Sequence, residues 1–220
     1  MSTITNAEAV FAKLESAGVL AVLMIDDAAN AVPLAETLIE GGIRAMELTL
    51  RTDAAITALR EIKKQIPEMI VGIGTILTPE QVKLALDEGA DFGVSPGMNR
   101  RVAEAAVDCG LPFAPGILTP SDVEAALEFG FRRLKFFPAE VSGGLPYLRS
   151  MSPPYNHLGV KYIPLGGVSQ SNLSEYLSEP LVAAVGGSWL APKQAVADHD
   201  WPRIKGLAQA ATKVVQEVRG

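Results

Sequence analysis

The sequence predicts an α/β protein built as a single (β/α)8 barrel (TIM barrel) across residues 1–220, with an extra helix over residues 7–16 at the barrel's N-terminal end. Three observations carry this. Apolar runs alternate with amphipathic segments along almost the whole chain, the pattern of parallel strands joined by helices. There are eight such runs, and their starts lie about 20 to 29 residues apart, enough for one strand, one loop and one helix. No linker or low-complexity stretch interrupts the series, and eight units at this length close a barrel.

The strands are expected at residues 19–25 (VLAVLMI), 44–50 (RAMELTL), 70–76 (IVGIGTI), 91–96 (DFGVSP), 112–118 (PFAPGIL), 132–139 (RRLKFFPA), 161–168 (KYIPLGGV) and 181–189 (LVAAVGGSW). The first connecting helix, NAVPLAETLIEGG, stops at paired glycines. The second, TDAAITALREIKKQI, opens on a Thr–Asp pair read as its cap. TPEQVKLALDEGA and TPSDVEAALEFGF share one design: a capping Thr, Pro in the first turn, an apolar stripe and a closing Gly. NRRVAEAAVDCG is similar. The sixth connection, EVSGGLPYLRSMSPPYNH, is irregular, and WPRIKGLAQAATKVVQEV forms the last helix. An open doubly wound sheet is the structural rival. Its nucleotide-binding form wants G-x-G-x-x-G after strand one, where this chain has DDAAN.

Composition narrows the function. The 220 residues are 48% hydrophobic and carry a net charge of −6 from 19 basic and 25 acidic side chains. No basic run suggests a nucleic-acid or membrane-surface partner. The only cysteine, Cys109, leaves no intrachain disulfide and reads as packing, which fits a reducing, cytoplasmic setting. The amphipathic N-terminus does not read as a signal peptide. His157 and His199 stand in polar stretches without other ligands at metal spacing, so neither a metal nor another cofactor is expected.

Strand parity nominates the site. In MELTLRT, Met46, Leu48 and Leu50 share one face while Glu47, Thr49 and Arg51 share the other. With the apolar face on the helices, a carboxylate and a guanidinium enter the barrel near the C-terminal end of strand two, the end where barrel enzymes keep their active sites. In LKFFP, Leu134 and Phe136 face the helices, so Lys135 and Phe137 point inward. Thr75 is placed inward together with Ile73, which sets Gly72 and Gly74 against the helices. Pro96 ends strand four.

An amine among apolar walls and beside a cation is disfavoured as an ammonium. A neutral amine adds to a carbonyl to form a Schiff base, whose iminium accepts electrons when an adjacent C–C or C–H bond breaks. Glu47 can move the proton, Arg51 can fork onto a carboxylate, and the Thr75 hydroxyl can add a hydrogen bond. Gly166 and Gly167 after strand seven, with Gly186, Gly187 and Ser188 after strand eight, stand where barrels bind phosphate. An isomerase or epimerase of phosphosugars would use the same glycine loops without explaining the lysine. A barrel that only binds sugar phosphates would not explain the Lys, Glu and Arg set.

At MELTLRT, VGIGTIL, SPG, PFAPGILTPSD, LKFFPAE, GGVS and GGSWL the chain resembles the 2-keto-3-deoxy-6-phosphogluconate (KDPG) aldolase family, which includes 4-hydroxy-2-oxoglutarate (KHG) aldolases. The matching stretches run through most of residues 19–192. The resemblance implies a metal-independent class I aldolase, assembled as a homotrimer, that cleaves KDPG to pyruvate and glyceraldehyde 3-phosphate. It implies Lys135 as the Schiff-base lysine, Glu47 as general acid and base, and Arg51 with Thr75 as the hold on the pyruvyl carboxylate. It implies Pro96 and Phe137 as apolar walls, and Gly166, Gly167, Gly186, Gly187 and Ser188 as the phosphate loops. One residue departs from the pattern: where the family has P-T-G-G, this chain has PLGG, with Leu165 at the threonine. A leucine there cannot bond a substrate hydroxyl, which opens the substrate range to 4-hydroxy-2-oxoglutarate and the galactonate epimer.

Overall fold

The computed structural model describes the backbone from Ser2 to Gly220 and side chains from Ala7 onward. Helix α1 (Ser2–Ala17) leads into β1 (Val19–Leu23), α2 (Ala31–Glu40), β2 (Ala45–Thr49), α3 (Ala54–Gln65) and β3 (Ile70–Gly74). Then follow α4 (Pro79–Asp87), β4 (Phe92–Val94), α5 (Arg100–Cys109), β5 (Phe113–Ala114), β6 (Gly116–Ile117) and α6 (Pro120–Glu128). The chain closes with β7 (Arg133–Phe136), α7 (Gly144–Met151), β8 (Lys161–Pro164), α8 (Leu173–Leu177), β9 (Val185–Gly187), α9 (Lys193–Ala197) and α10 (Trp201–Arg219).

All strand pairs are parallel, in the order β5-β4-β3-β2-β1-β9 on one arc and β6-β7-β8 on the other. The expected fifth strand is thus present in two halves. It breaks at Pro115, which has no N–H to give a ladder, yet its carbonyl accepts the Lys135 amide at 2.9 Å. Bridges Tyr162↔Val182 and Leu165↔Gly186 join β8 to the β9 segment. Eight strand positions therefore form one closed barrel, as the sequence spacing predicts.

Two apolar layers sit on either side of that wall. The outer one joins sheet to helices and contains Met46, Leu48, Val71, Ile73, Leu134 and Phe136. The inner one fills the barrel with Leu20, Ala45, Phe92, Val94, Ile163 and Leu165. Helix α1 extends five residues before the expected 7–16 span and closes the barrel's N-terminal end, with Phe11 and Leu14 in the inner layer. Its Glu15 bonds Lys161 of β8 and lies 3.5 Å from Arg133 of β7.

The local signals hold in most places. Thr78 with Gln81 and Thr119 with Asp122 form capping boxes with Pro in the first turn, and Gly110 closes α5 in the left-handed region. The Thr–Asp pair before α3 is a correction. Asp53 makes no capping bond, and the Thr52 hydroxyl instead donates to the Ile25 carbonyl, tying the loop after β1 to the loop after β2. The irregular sixth connection holds α7 between two 3-10 turns, Glu140–Ser142 and Pro153–Leu158.

Candidate active site

Strand β2 carries Glu47 inward and β7 carries Lys135 inward, from opposite parts of the barrel wall. Their side chains meet: Lys135 Nζ donates to Glu47 Oε1 at 3.0 Å. Glu47 is 1% exposed and Lys135 6%, so the pair is out of water and each charge depends on the other. Glu47 Oε2 is buried without a hydrogen-bond partner among the described residues, leaving one carboxylate oxygen able to take or give a proton. Lys135 Nζ also lies 5.5 Å from the centroid of the Phe137 ring, a cation–π distance.

Gly72 and Gly74 overturn part of the sequence reading. Ile73 belongs to the outer layer, so the glycines, not Ile73, face the interior. A Cβ on Gly72 would fall 2.2 Å from the Phe92 ring, and one on Gly74 would fall 1.9 Å from Glu47 Oε1. These glycines are the space that Phe92 and Glu47 occupy. Thr75 follows just beyond the strand with φ of 60°, an uncommon backbone for a β-branched residue. It is half-buried at the mouth, and it reaches that position through this turn, not through strand alternation.

Arg51 is exposed at the mouth, and its Nε donates to Thr49 Oγ1 at 3.2 Å. Thr49 is 3% exposed and donates onward to the Leu23 carbonyl at 3.1 Å. Thr49 thus holds Arg51 above Glu47. Parity marked Thr49 as inward without giving it a task.

Pro96 leans on the fifth strand: a Cβ on Gly116 would fall 2.3 Å from the Pro96 carbonyl carbon, and Gly116 is in register with Lys135. Ser95, a residue the sequence did not single out, fixes that turn. Its hydroxyl donates to the Gly97 carbonyl at 2.8 Å and accepts the Gly116 amide at 3.3 Å. A Ser directly before Pro-Gly at the end of an apolar run is the available signal.

Leu165 is 4% exposed and packs in the inner layer, against which Phe137 also packs. A Cβ on Gly186 would meet its side chain at 2.8 Å. Gly166 lies under the Phe137 ring, and both Gly166 and Gly167 take φ of 92°, in the left-handed region that glycine favours. Gly187 ends β9 against the Trp189 ring, and Ser188 is exposed beyond it. Gly186 and Gly187 thus lie within β9 itself, paired with β1, and not in a loop after it, while Gly166 and Gly167 follow β8; the Leu165↔Gly186 bridge brings the two pairs together.

Two concavities lie away from these residues. One of about 690 Å³ is lined by α1, Val107, Phe113, Phe129 and Phe131, and one of about 530 Å³ by Glu15, Lys161 and Arg219. Neither includes Lys135 or Glu47. His157 and His199 are exposed, and Cys109 is half-buried on α5. No group of three His, Cys, Asp or Glu converges among the described residues. Among them, no helix is long and apolar enough to cross a membrane.

Comparison with known proteins shows the family. The family description "KDPG and KHG aldolase" matches residues 10–207. The chain is 41% identical over 206 residues to the 2-dehydro-3-deoxy-phosphogluconate aldolase of Treponema pallidum, covering 94% of this chain and 97% of that protein. It is 39% identical over 209 residues to the KHG/KDPG aldolase of Escherichia coli, covering 95% and 96%. The KDPG aldolase of Legionella pneumophila, solved with pyruvate captured as a covalent carbinolamine, superposes with a TM-score of 0.87 at 39% identity, covering 93% of this chain and 97% of that one. On these likenesses the chain belongs to the KDPG and KHG aldolase family.

Proposed function

We propose that this chain is a class I aldolase that cleaves KDPG to pyruvate and glyceraldehyde 3-phosphate, and 4-hydroxy-2-oxoglutarate to pyruvate and glyoxylate. The observation that carries the reading is the buried Lys135–Glu47 contact at 3.0 Å inside the barrel. Glu47 takes a proton from the amine, and Lys135 Nζ adds to the C2 carbonyl of the keto acid. Glu47 returns its proton to the carbinolamine hydroxyl, which leaves as water, so an iminium and a free carboxylate result. The Glu47 carboxylate then removes the C4 hydroxyl proton as the C3–C4 bond breaks. The electron pair flows to the iminium, giving an enamine and the free aldehyde. Protonation at C3 and hydrolysis release pyruvate and restore the amine.

The other residues bind. Arg51, steadied by Thr49, and Thr75 take the pyruvyl carboxylate at the mouth, the guanidinium by a two-point contact. Pro96 and Phe137 wall the three-carbon fragment. The backbone at Gly166, Gly167, Gly186 and Gly187, with the Ser188 hydroxyl, receives the phosphate. Leu165 presents an apolar wall between these ends, which removes one hydroxyl-directed contact and broadens the accepted C4 configurations to include the galactonate epimer. The assembly is a homotrimer, and light scattering should return three times the 23.3 kDa chain mass.

The direct assay is pyruvate release measured side by side on KDPG, its galacto epimer and 4-hydroxy-2-oxoglutarate. Turnover of at least one, lost in Lys135→Met, is expected. Isomerisation without pyruvate release would overturn the reading.

A further inference from the structure

Glu140 closes the KFFPAE stretch, and the cleavage chemistry gives it no part. It is an exposed residue, yet its carboxylate is engaged: Tyr176 of α8 donates its phenol proton to Glu140 Oε1. Tyr176 itself is 1% exposed. Gly144, at the start of α7, makes room for this contact, since a Cβ there would fall 2.9 Å from Glu140 Oε1 and 3.3 Å from the Tyr176 hydroxyl.

The stem of Glu140 lies on the glycine loop. A Cβ on Gly167 would overlap Glu140 Cβ at 2.4 Å and Cγ at 2.6 Å. The backbones are tied as well: the Ala139 amide donates to the Leu165 carbonyl at 2.8 Å, and the Glu140 amide to the Gly166 carbonyl at 2.9 Å. On the far side of the loop, Asn172 accepts the Ser169 amide at 2.8 Å and donates to the Gly167 carbonyl at 3.4 Å. The loop from Leu165 to Asn172 is thus held between the turn after β7 and the start of α8, and the Glu140–Tyr176 bond is the side-chain tie that spans the two.

We infer that Glu140 and Tyr176 are a positioning pair that fixes the Gly166–Gly167 loop against the Schiff-base strand, and so sets affinity for the phosphate end of the substrate. This rests on the proposed phosphate role of those glycines. Two left-handed glycines in sequence have wide conformational freedom. An anion held by backbone N–H groups needs them fixed in direction before it binds. A carboxylate anchored by a buried phenol supplies that constraint from outside the phosphate contact, and leaves Lys135 and Glu47 untouched.

The experiment compares KM and kcat for KDPG and for unphosphorylated 4-hydroxy-2-oxoglutarate in wild type, Tyr176→Phe, Glu140→Ala and Glu140→Gln. Tyr176→Phe and Glu140→Ala should raise KM for KDPG about tenfold, the scale of one hydrogen bond to a charged group. Their kcat, and KM for the unphosphorylated substrate, should stay near wild type. Glu140→Gln keeps a carbonyl that accepts the phenol proton and should retain most of the affinity. Equal KM for KDPG in all three variants, or equal shifts for both substrates, would overturn the positioning pair. A wild-type enzyme that gains nothing from the phosphate, with inorganic phosphate failing to compete, would instead overturn the phosphate role of the glycines.

Discussion

Lys135 and Glu47 lie 88 positions apart in the chain and meet inside the barrel, with Nζ 3.0 Å from Oε1 and both side chains almost wholly buried. Glu47→Gln keeps the shape and removes the base. It should lower kcat by about 10²–10⁴-fold, the usual worth of a positioned proton-transfer group. Single-turnover measurement should show pyruvate adduct still forming slowly. A variant with unchanged kcat would remove Glu47 from the proton path.

Gly74→Ala tests the space beside the carboxylate. The new Cβ would stand 1.9 Å from Glu47 Oε1, so the carboxylate must move. Overpacking of this kind costs about 1–3 kcal/mol, and the displaced base should lose at least about tenfold in kcat. Urea unfolding and steady-state kinetics read the two effects separately.

Leu165→Thr tests breadth of substrate. The leucine is an inner-layer residue. The threonine variant should discriminate between the two C4 epimers of the phosphorylated substrate at least about tenfold more strongly than wild type, read as the ratio of kcat/KM values. Its pyruvate adduct should form as in wild type.

Tyr162 tests the outer layer. Its hydroxyl is buried without a partner among the described residues, and burial, then the nearby Tyr155, pushes its pKa up to about 12. The unfolded chain loses this phenol proton near its ordinary value of 10.0, so between those values the folded state binds more protons. Stability is then fully present below about pH 10 and drains away as pH rises towards 12, by on the order of 2 kcal/mol. Tyr176 is shifted the same way, by burial and by its bond to Glu140. Tyr162→Phe should be neutral or stabilising at neutral pH, and its advantage in urea unfolding should grow as pH is raised.

Much of this was legible in the sequence because period-two alternation is a strong constraint in a closed wall. It placed Glu47 and Lys135 on one side and Met46, Leu48, Leu134 and Phe136 on the other. The same rule failed at Ile73 and Gly72, because glycine has no side chain to mark its face and the choice of parity rested on Thr75. Thr75 leaves the strand with a positive φ, so alternation no longer applied to it. Thr52 stands in a cap position before a helix, but the Ile25 carbonyl across the loop takes its hydroxyl. The five-residue α8 and α9 carry too few turns to show a period, which hid Tyr176. Glu140 stood in view beside the lysine, but its partner was 36 residues away.

The central claim is that Lys135 forms the covalent intermediate. Borohydride reduction in the presence of pyruvate, followed by peptide mass analysis, reads this directly. The expected result is one reduced adduct, on the peptide containing Lys135, absent from Lys135→Met. An adduct on another lysine, or none under conditions where the enzyme turns over, would contradict the account.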